Sequence, residues 1–289
     1  MTPPFAATLP SDPRPELTGG AALPRLERTD GAARIAFKRT GDATALDRLH
    51  QSGAFKVRFP HRPAENPPEA VLINTAGGLT GGDRMSADVR LDAECRAVVT
   101  TQACEKIYRS SGGAAEIRTA LTLGAGARLD WLPQETILFD GARLSRRLDA
   151  DLGADATLLV VEAAIFGRAA HGERVRSGLF ADRWRIRRQG RLVFADDLRL
   201  DWAHAALLSR PAVLAGAGAM ATVLLVADEP ELYLDAARKI VGEAGGASAW
   251  DGKLVARLAA PDGMALRRAL IPLLAALRDG APLPKLWRI

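Results

Sequence analysis

Two polar runs hold the densest set of residues able to do chemistry. They are Asn74-Thr75-Ala76-Gly77-Gly78-Leu79-Thr80-Gly81-Gly82-Asp83-Arg84 and, one strand-like stretch later, Thr100-Thr101-Gln102-Ala103-Cys104-Glu105-Lys106-Ile107-Tyr108-Arg109-Ser110. Gly77, Gly78, Gly81 and Gly82 permit positive φ and close backbone approach, the properties that let glycine loops cradle phosphate. A P-loop also needs Gly-Lys-Ser/Thr after the turn, to bring a cation to the phosphates and a hydroxyl to magnesium. Here Asp83 and Arg84 follow Gly82, and a carboxylate at that point repels phosphate. With strand-like runs on both sides, the cluster reads as a tight or bulged connection between strands in which at least one glycine takes positive φ. Gly216-Ala217-Gly218-Ala219-Met220-Ala221 fits G-x-G-x-x-A by spacing. It precedes a strand-like run rather than following one and opening a helix, so it is not a dinucleotide fingerprint.

Nucleophilic catalysis needs a histidine near Ser or Cys with an orienting acid. His50, His61, His171 and His204 are the only histidines and none stands in such a setting. His171-Gly172-Glu173 imitates the start of a zinc deaminase motif without its later Pro-Cys-x-x-Cys. Cys95 and Cys104 form neither a disulfide framework nor a metal-ligand pattern, and read as small core residues.

The carboxylates carry more. Asp83, Glu105, Glu135, Asp140, Glu162 and Glu173 lie near turns or inside apolar runs. Glu162 interrupts Val160-Val161-Glu162-Ala163-Ala164-Ile165-Phe166, and a buried acid needs a partner or water; Arg168 is the nearest cation downstream. One reading is a structural Glu-Arg pair or a strand-edge acid facing solvent. The other is an acid lining a wet internal passage, where oxygen ligands hold a hard or borderline divalent cation weakly.

These groups need a scaffold, and composition bounds it. The chain has 289 residues, 48% of them hydrophobic, and a formal net charge of +5, enough for one large core or two modest ones. In Ala181-Asp182-Arg183-Trp184-Arg185-Ile186-Arg187-Arg188 basic and apolar residues largely alternate, which predicts a half-buried strand with a solvated face; the acids interspersed nearby and the scarcity of aromatics argue against nucleic acid. No apolar run approaches a membrane span, and the Pro-rich start has no signal-peptide core, so cytoplasmic residence without membrane contact is expected. Residues 1–30 read as a Pro-rich tail leading into a first strand. From Ala33 to Trp202, short strand-like runs punctuated by Gly, Pro and Asp predict a β-rich body with no internal repeat. After a strand near Met220–Ala227, helical spacing covers Glu229–Ala244, ended by Gly245-Gly246. A strand follows at Lys253–Leu258, then a helix at Met264–Arg278 that Pro272 should kink or split. The expected architecture is a mainly β domain over 31–289, with a few helices within 220–280.

In this order, Gly77-Gly78 through Gly82-Asp83, Thr100-Thr101-Gln102-Ala103, Lys106-Ile107-Tyr108, Leu129 through Phe139, Glu162 through Arg168, Gly172-Glu173 and Leu283-Pro284-Lys285-Leu286-Trp287-Arg288 resemble the landmarks of the urease accessory protein UreD family, called UreH in some systems. The resemblance runs from about residue 33 to the end. It implies a helix-poor scaffold of solenoid-like stacked strands that is not a catalyst and holds no tightly bound cofactor. It further implies a chaperone that bridges apo-urease to UreF and the GTPase UreG, and passes transient nickel through an internal, water-filled route. On that reading Asp83, Glu135, Asp140 and Glu162 are passage acids and Lys106 and Arg168 their charge partners. The sequence departs from the family at Ser52–Phe55, which lacks a frequent proline, and at Lys285, where arginine is frequent. Two other classes remain: a basic nucleic-acid binder, and a hydrolase on a β scaffold using a carboxylate pair such as Glu135 with Asp140.

Overall fold

The computed structural model describes residues 27–61, 63, 66–168 and 171–288. Most of the tail expected over 1–30 lies outside the described residues. An antiparallel hairpin, β1 (Asp30–Thr40) and β2 (Ala43–Gly53), opens the fold, followed by β3 (Phe55–Arg58) and β4 (Glu69–Asn74). The chain then alternates between two sheets. β5 (Arg84–Leu91), β8 (Ala115–Leu123), β11 (Arg143–Leu152) and β13 (Leu179–Arg188) enter one sheet; β6 (Arg96–Thr101), β9 (Arg128–Leu132) and β12 (Thr157–Phe166) join β4 in the other. Short strands β7 (Glu105–Ile107) and β10 (Thr136–Leu138) branch off at one end.

Because each coil begins where the previous one began, neighbouring strands within a sheet run parallel: β5 pairs with β8, β8 with β11, β11 with β13, and likewise β4, β6, β9 and β12. Parallel pairing requires crossovers, and here the opposite sheet supplies them. The result is the solenoid-like, mainly β architecture expected. It also corrects the reading that no repeat exists. Asn74 and Glu105, Cys104 and Glu135, Gly77 and Tyr108, Arg109 and Asp140, and Trp131 and Glu162 are hydrogen-bonded pairs separated by 31 residues each, one coil apart. The repeat lies in the backbone path, and residue types do not follow it.

Antiparallel strands close the edges. β14 (Arg191–Asp201) flanks β13, and β15 (Ala219–Val226), β17 (Lys253–Ala260) and β16 (Gly245–Trp250) extend the second sheet beyond β12. Helices α1 (Ala205–Leu208), α2 (Leu234–Val241) and α3 (Gly263–Ala276) complete the chain. Two cores form. One lies between the sheets and takes Leu158, Val160 and Ala164 of β12; the other packs α2 and α3 against the extended sheet and takes Leu159, Val161 and Ala163. A strand covered on both faces reads as the continuous apolar run seen in the sequence. Among the described residues no helix is long and apolar enough to cross a membrane.

Helical boundaries differ from the periodicity. The helix expected over Glu229–Ala244 is a 3₁₀ turn at Pro230–Tyr233, the eight-residue α2 and a second 3₁₀ turn at Gly242–Ala244. Gly242 at φ 51° ends α2, while Gly245 and Gly246 open β16. α3 continues through Pro272 without splitting, with Leu266, Leu270, Leu273 and Leu274 buried on both sides of it. Packing of that face compensates for the backbone bond proline cannot donate.

The motif-bearing loops now have a common location. The connections β4–β5, β6–β8, β9–β11 and β12–β13 stack at one end, joined by a Leu79–Ile107 bridge and by pairing of β7 with β10 and β10 with β12. In the glycine turn Gly77, Gly78 and Gly82 take φ of 76°, 149° and 92°. The tightest approach is elsewhere: a Cβ on Gly81 would fall 2.0 Å from Ser110 Oγ and 2.3 Å from the Gly112 carbonyl oxygen. Gly81→Val should therefore destabilise by roughly 3 kcal/mol or more. Gly77→Ala, with nothing within 4 Å of its Cβ, should cost only about 1 kcal/mol. Thermal melts of both variants check this; equal melting points would mean the turn is not clamped between coils.

Candidate functional site: an acid-floored cavity between the sheets

A cavity of about 200 Å³ runs from the exposed rim residues Gln102, Lys106 and Gly77 to the buried side chains of Trp131, Arg146 and Glu162. That volume holds about six waters. Phe55, Leu72, Met85 and Ile117 supply apolar wall. Two buried donors on its lining residues, Arg146 Nε and Gln134 Nε2, have no hydrogen-bond partner among the described residues, so the interior is polar enough for ordered water.

Strand parity places the floor. Glu162 alternates with Val160 and Ala164 toward the core between the sheets, Arg146 with Leu144 and Leu148, and Asp182 with Phe180 and Trp184. Arg146 and Asp182 are register partners in β11 and β13. The guanidinium reaches Glu162 at 2.5 Å and Asp182 at 2.6 Å, and lies 5.2 Å from the Phe180 ring centroid. Indole N–H groups complete the cluster: Trp131 donates to Glu162 at 3.0 Å and Trp184 to Asp182 at 3.1 Å. Burial pushes the Glu162 carboxyl up, against the opposing pull of Arg146. Burial also opposes the charge on Arg146, but Asp182 and Glu162 outweigh it and hold the guanidinium protonated. Two acids share this one buried cation, so the floor holds more carboxyl groups than basic ones.

Three expectations change. Arg168 is not the partner of Glu162; Arg146 is, and Arg168 instead grips Glu173 at 2.8 Å. The chain leaves β12 at Phe166 and turns at Gly167, φ 81°, which carries Arg168 to the surface. Asp182, expected among the acids of a solvated strand face, is buried at 6% exposure. Lys106 is exposed at the rim and makes no ion pair with a described residue.

The other acids named from the sequence scatter. Asp83, 4% exposed, accepts from the Thr29 and Thr80 backbone N–H groups at 2.8 and 2.7 Å and locks the glycine turn. Glu135 is clamped by Arg267 at 3.0 Å and accepts from the Cys104 thiol at 3.4 Å. That thiol is pushed up to about 11 by burial and by the Glu135 charge, so it stays protonated. Asp140 lies in a separate surface pocket, and the Glu135–Asp140 pair a hydrolase would need shares no partner. Of the four passage acids, only Glu162 lines the cavity.

Glu105 is a second acid in the cavity lining. Glu105 sits near the rim with Asn74 Nδ2 donating to both carboxylate oxygens at 3.0 and 3.1 Å, and burial pushes its carboxyl up to about 7. A raised folded pKa makes stability highest below the ordinary value of 4.5 and loses it as pH rises toward about 7. Glu105→Gln, neutral throughout and able to keep the Asn74 bond, should therefore be more stable than the parent by about 2 kcal/mol at pH 8 and equal at pH 4. Urea denaturation at both pH values checks it; a pH-independent difference would count against a buried titrating acid. Among the described residues no group of three or more His, Cys, Asp or Glu side chains could enclose a metal ion.

A two-sheet parallel solenoid with a polar, acid-floored cavity and no enclosed metal shell among its described residues defines a β scaffold with an internal polar cavity. Comparison with known proteins makes the class specific. The profile of the family described as UreD urease accessory protein matches residues 29–288. The urease accessory protein UreD of Rhizobium leguminosarum bv. viciae is 55% identical over 274 residues, covering 94% of this chain and 100% of that protein. Urease accessory protein UreD 1 of Brucella abortus biovar 1 (strain 9-941) is 53% identical over 268 residues, covering 91% and 95%. The chain belongs to the UreD family of urease accessory proteins, and its role lies in urease maturation.

Proposed function

We propose that this chain is a non-catalytic scaffold that bridges apo-urease to UreF and the GTPase UreG, and that its interior cavity passes nickel as cargo toward urease. The observation that carries the reading is a buried acid, Glu162, on the floor of the cavity, in a chain of this family. A carboxylate with competing guanidinium and indole partners offers oxygen ligation weak enough to release a divalent ion. Water along the polar lining keeps the ion partly hydrated on the way. Residence in the cytoplasm follows from the same reading, since urease maturation joins this chain to soluble partners.

Glu162→Gln tests it, because the amide retains shape and the Trp131 bond while removing the charge. Pull-downs with UreF and apo-urease should be unchanged, and the nickel content and activity of matured urease should fall about ten-fold or more. Equal loss of complex and nickel would make Glu162 a structural residue only. Unchanged nickel content with the complex intact would overturn the passage.

A further inference from the structure

The same end of the solenoid carries a second feature outside the cavity. A surface pocket of about 360 Å³ is lined by Tyr108, Arg109, Phe139, Asp140, Glu173 and the neighbouring Arg174 and Arg176. Its base is an aromatic pair: the Tyr108 ring stands edge-on to Phe139 at 5.0 Å, and its hydroxyl donates to the Gly77 carbonyl at 3.0 Å. The Arg168 guanidinium caps Phe139 at 4.3 Å from the ring centroid while bonding both oxygens of Glu173. Asp140 accepts from Arg109 at 2.8 Å and from the backbone N–H groups of Arg176 and Ser177 at 2.9 and 3.0 Å, which pins the β12–β13 loop to the β10–β11 loop. The Arg176 N–H bond foremost lowers the Asp140 carboxyl, and the Arg168 bond lowers that of Glu173. Both acids are thus ionised and consumed within the chain.

The arginines are not all consumed. Arg174 and Arg176 are exposed, and their guanidinium groups have no partner among the described residues. The pocket presents two free cations beside a pre-ordered Tyr-Phe platform, with Tyr108 39% exposed. Arginine and aromatic side chains held in place before contact are the composition of an interface hot spot. We infer that this pocket is a docking site for an acidic segment of a partner protein, whose carboxylates pair with Arg174 and Arg176 while an apolar side chain rests on Tyr108 and Phe139. Nucleic acid fits less well, since the two platform rings meet edge to face and do not form a row of parallel faces on which successive bases could stack.

This inference rests on the scaffold reading, and the test separates the two. The probes are purified UreF and apo-urease, each measured against the wild-type chain and against the Arg174→Glu/Arg176→Glu variant across a salt series. Affinity for one of the two should fall roughly ten-fold or more, with loss of its salt dependence, while the other is retained. Arg174→Lys/Arg176→Lys should recover most of the binding. Unchanged affinity for both overturns the docking site, as does equal loss for both, which marks general damage. A random DNA duplex that binds the wild type and is lost with the same two arginines overturns it in favour of a nucleic-acid surface. Wild-type chain that captures neither UreF nor apo-urease sinks the scaffold reading itself.

Discussion

Arg146→Met should cost about 3–5 kcal/mol at pH 8, because it leaves Glu162 and Asp182 buried without their shared cation. The two acids are 7% and 6% exposed, so water reaches neither well enough to replace a guanidinium bound at 2.5 and 2.6 Å. Without Arg146 the Glu162 carboxyl loses the opposing pull of its cation and burial pushes it further up. Stability contributed by its protonated form is present at low pH and lost as pH rises, so the variant should regain much of its deficit by pH 5. Adding Glu162→Gln and Asp182→Asn removes the stranded charges and should restore part of the loss at pH 8. Urea denaturation of the three proteins at both pH values measures each term. A loss below about 1 kcal/mol with no pH dependence would mean that the cluster is solvated and does not depend on its buried cation.

Trp287→Ala is expected to cost about 3–5 kcal/mol, the usual range for truncating a fully buried indole. Trp287 is 0% exposed in the core formed by α2, α3 and the extended sheet. Its Nε1 donates to the Leu132 carbonyl at 2.9 Å, and Arg267 lies 5.2 Å from its ring centroid while donating to its carbonyl oxygen at 3.1 Å. Arg267 in turn holds Glu135 and donates to Gln134 Oε1 at 2.8 Å, so the last turn of the chain braces the β9–β10 segment. Trp287→Phe keeps most of the apolar area but strands the Leu132 carbonyl, and should lose about half as much. Deleting residues 283–289 should be at least as damaging as Trp287→Ala. Thermal melts and partner affinities check the series; an unchanged melting point for Trp287→Ala would mean the segment does not brace the body.

Local pattern carried much of the fold and little of the site's pairing. Glu162 stood out because an acid among Val160, Val161, Ala163 and Ala164 breaks an apolar run. The same kind of break was present in Leu144-Ser145-Arg146-Arg147-Leu148, where Arg146 occupies the inward position of an alternating strand, and in Phe180-Ala181-Asp182-Arg183-Trp184. Reading which parity faces the core would have found both. Arg168 is the next cation after Glu162 in sequence, but a chain that turns at Gly167 makes proximity along the strand irrelevant. Asp140, expected inside, lies instead in the outer pocket with Tyr108 and Phe139, and Arg168 caps Phe139 from beside it.

Sequence alone determined what depends on neighbours a few residues away: β alternation, the glycine turn with its positive φ, the terminal helices, and family membership through an ordered set of motifs. Tertiary structure decided what depends on positions one coil apart. Which acid meets which cation is fixed by register between β11 and β13 in one sheet and by the packing of β12 of the other sheet against them, and nothing in the 31-residue spacing of pairs such as Asn74–Glu105 and Trp131–Glu162 is written as a repeated residue type. The physical reason is that backbone hydrogen bonds carry the coil-to-coil contact, and these are indifferent to side-chain identity. Side chains need only keep the inward faces mostly apolar, and the few polar residues admitted there find their charges through the packing.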